Sequence, residues 1–243
     1  GFGAASASAA ITYDQNVTNN VIYGTGNANG GFTVDRNYGV ELGLRAHLRF
    51  DSTGQPQNIY NSNGAGTYTF PSGEYNNNGR PLWNFDWSIN TDYLGTTGVK
   101  LDDLTYQLQL DTDPTSAENF TSSFDPISDY LSTPDHAIGD NSTGNGGGTV
   151  ATSETEYQNL LANNNVAQNS WSFPWEGALI DPNVNGTYGI RLTAYSGQVA
   201  LASTHISVVT TPLPATLPLM LSGLGLVGAV ARRKSKKAKA AAA

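Results

Sequence analysis

The chain has 243 residues, no cysteine, 27 glycines, only 13% charged residues and a net charge of −8. Without cysteine there is no disulfide, no thiolate nucleophile and no cysteine-based metal site, and the roughly 200 residues ahead of an apolar C-terminal stretch suffice for one sizeable core. The charge is unevenly placed: six of the 12 basic residues fall within Arg232–Lys239, which leaves residues 1–211 at −14 and the tail at +6, and so acidic a body excludes nucleic acid, whose binding sets lysine and arginine against phosphate.

In chain order, residues 1–10 are small and weakly polar, and Ala5-Ser6-Ala7 and Ala7-Ser8-Ala9 fit the small-x-small rule of secretory cleavage. They are expected to be a signal-peptide remnant or a flexible N-terminus of an exported protein. Ile11–Tyr23 predicts a short edge strand, and Gly24–Gly31 a loop. Val40–Phe50 is the clearest strand: Val40, Leu42, Leu44, Ala46, Leu48 and Phe50 alternate with Glu41, Gly43, Arg45, His47 and Arg49. The apolar set is expected to face a core and the charged set solvent or a groove. Loop composition over Asp51–Asn63 precedes a short strand at Thr67–Phe70 and a turn region at Pro71–Gly79. Trp83, Phe85, Trp87 and Ile89 share one parity in a second strong strand. Leu104, Tyr106, Leu108 and Leu110 do so in a third.

Asp113–Gly148 lacks periodicity and reads as an excursion from the same domain. Ser153 and Glu156 form a capping-box pattern that opens a helix with Tyr157, Leu160 and Leu161 on one stripe. Trp171, Phe173 and Trp175 alternate again, with Pro174 suited to an edge or a bend. Thr187–Tyr195 and Gln198–Val209 make a closing hairpin. A change of apolar phase in its second strand predicts a bulge near Ser203–Thr204. This hairpin resembles the last two strands of immunoglobulin-like sandwiches. The fold expected for residues 11–211 is all-β, an antiparallel β-sandwich of jelly-roll or immunoglobulin-like type with one short helix.

Candidate chemistry is sparse. Trp171 and Trp175 are the possible glycan contacts, whereas the rings of Trp83–Ile89 fit a core by their alternation. Asp111 and Asp113 are weak calcium candidates, since calcium takes six to eight oxygen ligands and loop aspartates supply them. No other metal and no cofactor are expected. Glu41 and Asp86 could flank a glycosidic bond as the two carboxyl groups of a hydrolase, or pair with Arg45 and Arg49 across a solvated sheet face. His47 is expected at the surface of its strand and His136 in a loop. Nucleophile-elbow, zincin and P-loop signatures are missing.

Leu213–Ala231 is 19 residues without a charge, long enough as a helix to span about 28 Å, so a C-terminal transmembrane helix is expected at 213–231. The basic end, 232–239, would hold that terminus in the cytoplasm and leave the acidic body outside. Pro212-Leu213-Pro214, the run through Leu221-Ser222-Gly223-Leu224-Gly225-Leu226, and Arg232-Arg233-Lys234 follow one another in the order of a sorting label. This 212–243 tail resembles the PEP-CTERM sorting domain, with Pro212, Leu213 and Pro214 at the Pro-Glu-Pro positions and Leu213 in place of the glutamate.

The resemblance implies export across the inner membrane of a Gram-negative, polysaccharide-producing cell. It also implies transient membrane anchoring, recognition by an exosortase (a membrane transpeptidase) and delivery to the cell surface or biofilm matrix. Leu213-Pro214-Ala215-Thr216 also begins a sortase signal, with Leu217 where glycine belongs, and a plain uncleaved anchor is the remaining alternative. The expected function is a non-catalytic structural protein of the surface or exopolysaccharide matrix. A surface carbohydrate-binding module and a secreted glycan hydrolase are the alternatives.

Overall fold

A computed structural model describes residues 10–18, 21–23, 26–128, 130, 136–173 and 180–212. The chain divides after Thr211 into one compact unit, Gly1–Thr211, and a second, Pro212–Ala243. The first unit is mostly β, with strands β1 (Thr12–Gln15), β2 (Phe32–Asn37), β3 (Val40–Phe50), β4 (Pro56–Ile59), β5 (Thr67–Pro71) and β6 (Trp83–Asn90). A short 3-10 helix, Leu101–Asp103, leads into β7 (Thr105–Asp111), β8 (Phe120–Phe124), β9 (Ala137–Gly139), α1 (Glu154–Asn163), β10 (Val166–Trp171), β11 (Thr187–Ser196) and β12 (Val199–Thr211).

The strands form two sheets packed face to face. The larger runs β1-β2-β3-β6-β10-β9, with β4 also on β3, and the smaller runs β5-β12-β11-β7-β8. Between them lies one core, in which the alternation of β3, β6, β7 and β11 is realised: Leu42, Leu44, Phe85, Trp87, Leu108, Leu110, Ile190 and Leu192 are all fully buried. The rings interlock edge to face. Trp83 meets Phe173 with centroids 5.2 Å apart, and Trp87 meets Trp171 at 5.2 Å. Each such pair adds about 0.5–1.5 kcal/mol beyond its buried area.

Several expectations need correction. The smaller sheet is mixed, because β12 pairs with β5 in parallel, Ser207 opposite Thr67 through Thr211 opposite Pro71. A parallel neighbour needs a long crossover, and most of the chain separates these two strands. The hairpin bulge sits earlier than Ser203–Thr204: Ala194 pairs with Ala202 but Tyr195 with Ala200. From Ala202 onward the core parity is Ala202, Thr204, Ile206, Val208, and Val199, beside the hairpin turn, is 62% exposed. The strands β2, β4, β8 and β9 lie in stretches that lack a sequence signal, and β10 begins at Val166, five residues before the aromatic alternation that announced it. Helix α1 starts as expected, with the Ser153 side chain accepting from the Glu156 N–H at 3.2 Å. The Glu156 carboxylate, however, takes the Thr152 N–H at 2.8 Å, one residue beyond a regular capping box.

The outer face of the larger sheet departs furthest from expectation. Val17 and Ile22, which precede β2, pack with Phe32 and Val34 into a second apolar cluster. Gly43 permits this: a Cβ there would lie 2.6 Å from Val17 Cγ1 and 3.1 Å from Phe32. The sheet is thus covered on both faces over much of β3 and β6. All eight residues of β6 are buried, and Glu41, Arg45 and His47 are at most 3% exposed.

Among the described residues no helix is long and apolar enough to cross a membrane. The expected span, 213–231, lies outside them.

Candidate functional site

Register brings the polar side chains of β3 and β6 together on that covered face. Arg45 stands opposite Asp86, and His47 opposite Asn84. Arg45 Nε donates to Asp86 Oδ2 at 2.7 Å, and His47 Nδ1 lies 3.1 Å from the same oxygen. The rest of the guanidinium is also engaged. Nη1 donates to the carbonyls of Ala28 (2.9 Å) and Gly30 (2.6 Å) and to the Tyr60 hydroxyl (2.7 Å), and Nη2 to the Tyr23 hydroxyl (3.1 Å). The Phe32 and Tyr60 rings lie 4.3 and 4.4 Å from its central carbon.

Burial works against charge on Asp86, but His47 and Arg45 outweigh it and hold the carboxyl well below the usual carboxylate range. Burial likewise disfavours a charged Arg45, and Tyr23, Asp86 and Tyr60 around it more than compensate, so its pKa is raised. Burial pushes the Tyr23 and Tyr60 phenols up, keeping both neutral donors. The cluster is therefore a charged cross-link. It joins two central strands to the segment before β2 and to the chain after β4. Farther along β3, Glu41 does a similar job: the Thr18 N–H and hydroxyl each donate to its carboxylate at 2.7 Å, and Arg36 Nε donates at 2.6 Å.

This geometry dissolves the carboxylate pair considered for hydrolysis. Glu41 stands opposite Asn90, not Asp86, four residues along β3 from Arg45. At about 3.3 Å per residue the two positions are about 13 Å apart, beyond the roughly 5–10 Å that flanking carboxyl groups need. Each is also bound to its own arginine. The expected Arg45–Asp86 pairing exists, but it is buried, not solvated, and His47 is not a surface residue. His136 is fully buried as well. Its Nε2 is 2.7 Å from the Pro126 carbonyl, and its ring packs 5.1 Å from Trp87.

The other candidates are placed as follows. Trp171 is 3% exposed and wedged between Phe85, Trp87 and Phe124, so its ring is core and offers no face to a sugar. Trp175 lies outside the described residues. Asp111 uses one carboxylate oxygen for the Asp113 N–H and the other for the Asn119 N–H, both at 2.9 Å, and Asp113 accepts from Thr115 N–H at 2.9 Å. These aspartates close the β7–β8 connection as successive Asx turns. Among the described residues no three His, Cys, Asp or Glu side chains gather as a metal site. On the outer face of the smaller sheet, Glu118 pairs with Arg191 Nη2 at 2.7 Å. It also lies 2.7 Å from His205 Nε2, in ion-pair range but off the hydrogen-bond line.

Two clefts open beside the Arg45 cluster. One, of about 300 Å3, is lined by Tyr23, His47, Arg49, Gln57, Asn58 and Ser170 among others. The second, of about 220 Å3, is lined by Arg49, Phe50, Tyr75, Arg80, Asn84 and Ser172 together with Pro81. Arg49 belongs to both. Its guanidinium carbon lies 4.9 Å from the Phe50 centroid, and Phe50 stacks on Tyr75 at 3.7 Å with the planes 12° apart.

Sequence reasoning left β3's polar side chains to solvent or a groove and did not locate these clefts. One signal was available: Gly43 interrupts the polar parity of an otherwise ideal strand, and a strand glycine marks close approach by another segment.

Strand β12 ends at Thr211, and Pro212 follows it, exposed. Residues 210–234 match the PEP-CTERM protein-sorting motif. The chain carries a PEP-CTERM sorting signal. That motif implies export, a membrane-associated C-terminal signal and processing by exosortase, a membrane protein. It includes Pro212, Leu213, Pro214, Arg232, Arg233 and Lys234, of which only Pro212 lies within the described residues. No match to the chain exists among curated proteins or solved structures.

Proposed function

We propose that this chain is an exported, non-catalytic structural protein, delivered by its PEP-CTERM tail to the cell surface or the exopolysaccharide matrix. The observation that carries this reading is the position of the motif. It begins at Thr210, within the last two residues of the last strand, so the sorting segment starts where the folded body ends. Removal of everything beyond Pro214 would cut no described strand. The acidic body, at −14, remains outside the membrane and is soluble at neutral pH. Glu41 and Asp86 serve as structural cross-links, which supports a role without turnover.

Intact mass of the protein recovered from cells tests the proposal. The expected mature species lacks the segment after about Pro214, and a chain deleted for Arg232–Lys239 accumulates with its tail intact. Recovery of the wild-type chain with its full tail, or identical fractionation of the wild-type and deleted chains, would refute it.

A further inference from the structure

The body has six basic side chains, and three are neutralised in place: Arg36 by Glu41, Arg45 by Asp86 and Arg191 by Glu118. Arg49 takes part in none of these pairs. Its guanidinium carbon lies 4.9 Å from the Phe50 ring centre, and the residue lines both adjoining clefts. In the smaller cleft Ser172 Oγ is buried, the residue being 3% exposed, and has no hydrogen-bond partner. Buried polar groups are satisfied as a rule, so an orphaned hydroxyl in a cleft wall beside an unpaired guanidinium points to a missing acceptor. Among the described residues that line either cleft, none is acidic, although the body as a whole is strongly so.

We propose that this face binds an acidic oligosaccharide. Its carboxylate occupies the smaller cleft, accepting from Arg49 and from the Ser172 hydroxyl, with the Asn84 amide beside them. The next sugar unit lies across Arg49 in the larger cleft, where Gln57, Asn58 and Ser170 offer amides and a hydroxyl to ring hydroxyls. A planar guanidinium held against an aromatic ring suits a carboxylate, because the fork is pre-organised and little freedom is lost on binding. The two clefts, about 220 and 300 Å3, together fall within the size range of small-ligand sites. A body at −14 repels a polyanion over most of its surface, which favours attachment at clefts that hold arginine and, among the described residues, no carboxylate. The inference draws on the exported, matrix-associated reading only for the choice of a glycan as ligand.

Calorimetric titration of the full chain in detergent, with oligogalacturonate, its carboxyl-reduced counterpart and a sulfated oligosaccharide of equal length, tests the proposal. Saturable binding of the oligogalacturonate is expected, at least tenfold tighter than that of the reduced form, as the loss of a charge-assisted contact implies. Weaker binding of the sulfated arm assigns the site to carboxylates, and equal binding of it widens the ligand to acidic glycans generally, as proposed. Arg49→Gln should lose about tenfold on the acidic ligand. Arg191→Gln, which removes the same charge elsewhere and leaves the tail unchanged, should not. Ser172→Ala should lose several-fold.

Equal affinity for acidic and reduced ligands, equal losses in the two arginine variants, or no saturable binding of either acidic ligand would each overturn the proposal. The comparison of ligands on the wild-type chain needs no variant to fold. Binding by the purified chain and processing in cells are read separately, so failure of one leaves the other standing.

Discussion

Substituting Arg45 by methionine removes the charge at the centre of the covered sheet face while keeping a side chain of similar reach. The variant loses the 2.7 Å bond to Asp86 and the donors to Ala28, Gly30, Tyr60 and Tyr23. It leaves Asp86 fully buried and without its arginine, with the His47 Nδ1 still 3.1 Å away. Breaking a buried pair from one side costs about 3–5 kcal/mol, because the abandoned charge stays out of water. That is a large fraction of the roughly 5–15 kcal/mol that holds a domain together. For a domain of this size it corresponds to a fall in Tm of roughly 10 °C.

The assay is urea unfolding followed by tryptophan fluorescence, which is well placed because Trp83, Trp87 and Trp171 are all in the core. The double variant Arg45→Met/Asp86→Leu should be more stable than Arg45→Met alone, since it removes the stranded carboxylate too. A loss below about 1 kcal/mol, the range of exposed ion pairs, would refute the account of this face as a desolvated cross-link.

Two further outcomes follow from the same structure. Acidification should destabilise the protein in two windows. The folded pKa of Asp86 is depressed, so its contribution is complete above the unfolded value of about 3.9 and is lost as pH falls toward the folded one. His205 has its pKa lowered mainly by burial and also by Arg191, against the opposing pull of Glu118. The unfolded chain therefore takes up this proton first, and stability declines as pH drops through about 6.5. Urea midpoints measured against pH should show both declines; Asp86→Asn should blunt the lower and His205→Gln the upper, and unchanged profiles would contradict these assignments. Separately, Ser153→Ala removes the helix N-cap at the start of α1 and should cost about 1 kcal/mol by the same urea assay.

The strands whose apolar residues alternate announced themselves. Val40–Phe50 is bounded in the structure as its alternation predicts, and β6, β7 and β11 agree to within a residue or two. Short strands without alternation were illegible: Phe120–Phe124 and Ala137–Gly139 owe their pairing to neighbours already in place, β7 and β10, and not to their own composition. The covered outer face was illegible for a related reason. Arg45, His47 and Asp86 look like solvated residues when read one strand at a time. Their burial follows from Val17, Ile22 and Phe32 folding back over Gly43, a tertiary event that no local period encodes. The sorting tail was the most readable stretch, because proline motif, apolar run and basic end are recognised in sequence order without any fold.

Strand β12 carries a mechanical consequence. It is an interior strand of the smaller sheet, hydrogen-bonded to β11 on one side and, over its last five residues, to β5 on the other. Any tension transmitted from a membrane or a matrix through the chain beyond Thr211 enters along the axis of this strand. Its ladders run along both flanks, so such a load acts on many hydrogen bonds in shear at once and cannot peel them apart one by one. A fold tethered by this end resists extraction with the strength of two ladders together, a property suited to a protein held in place from its C-terminal side.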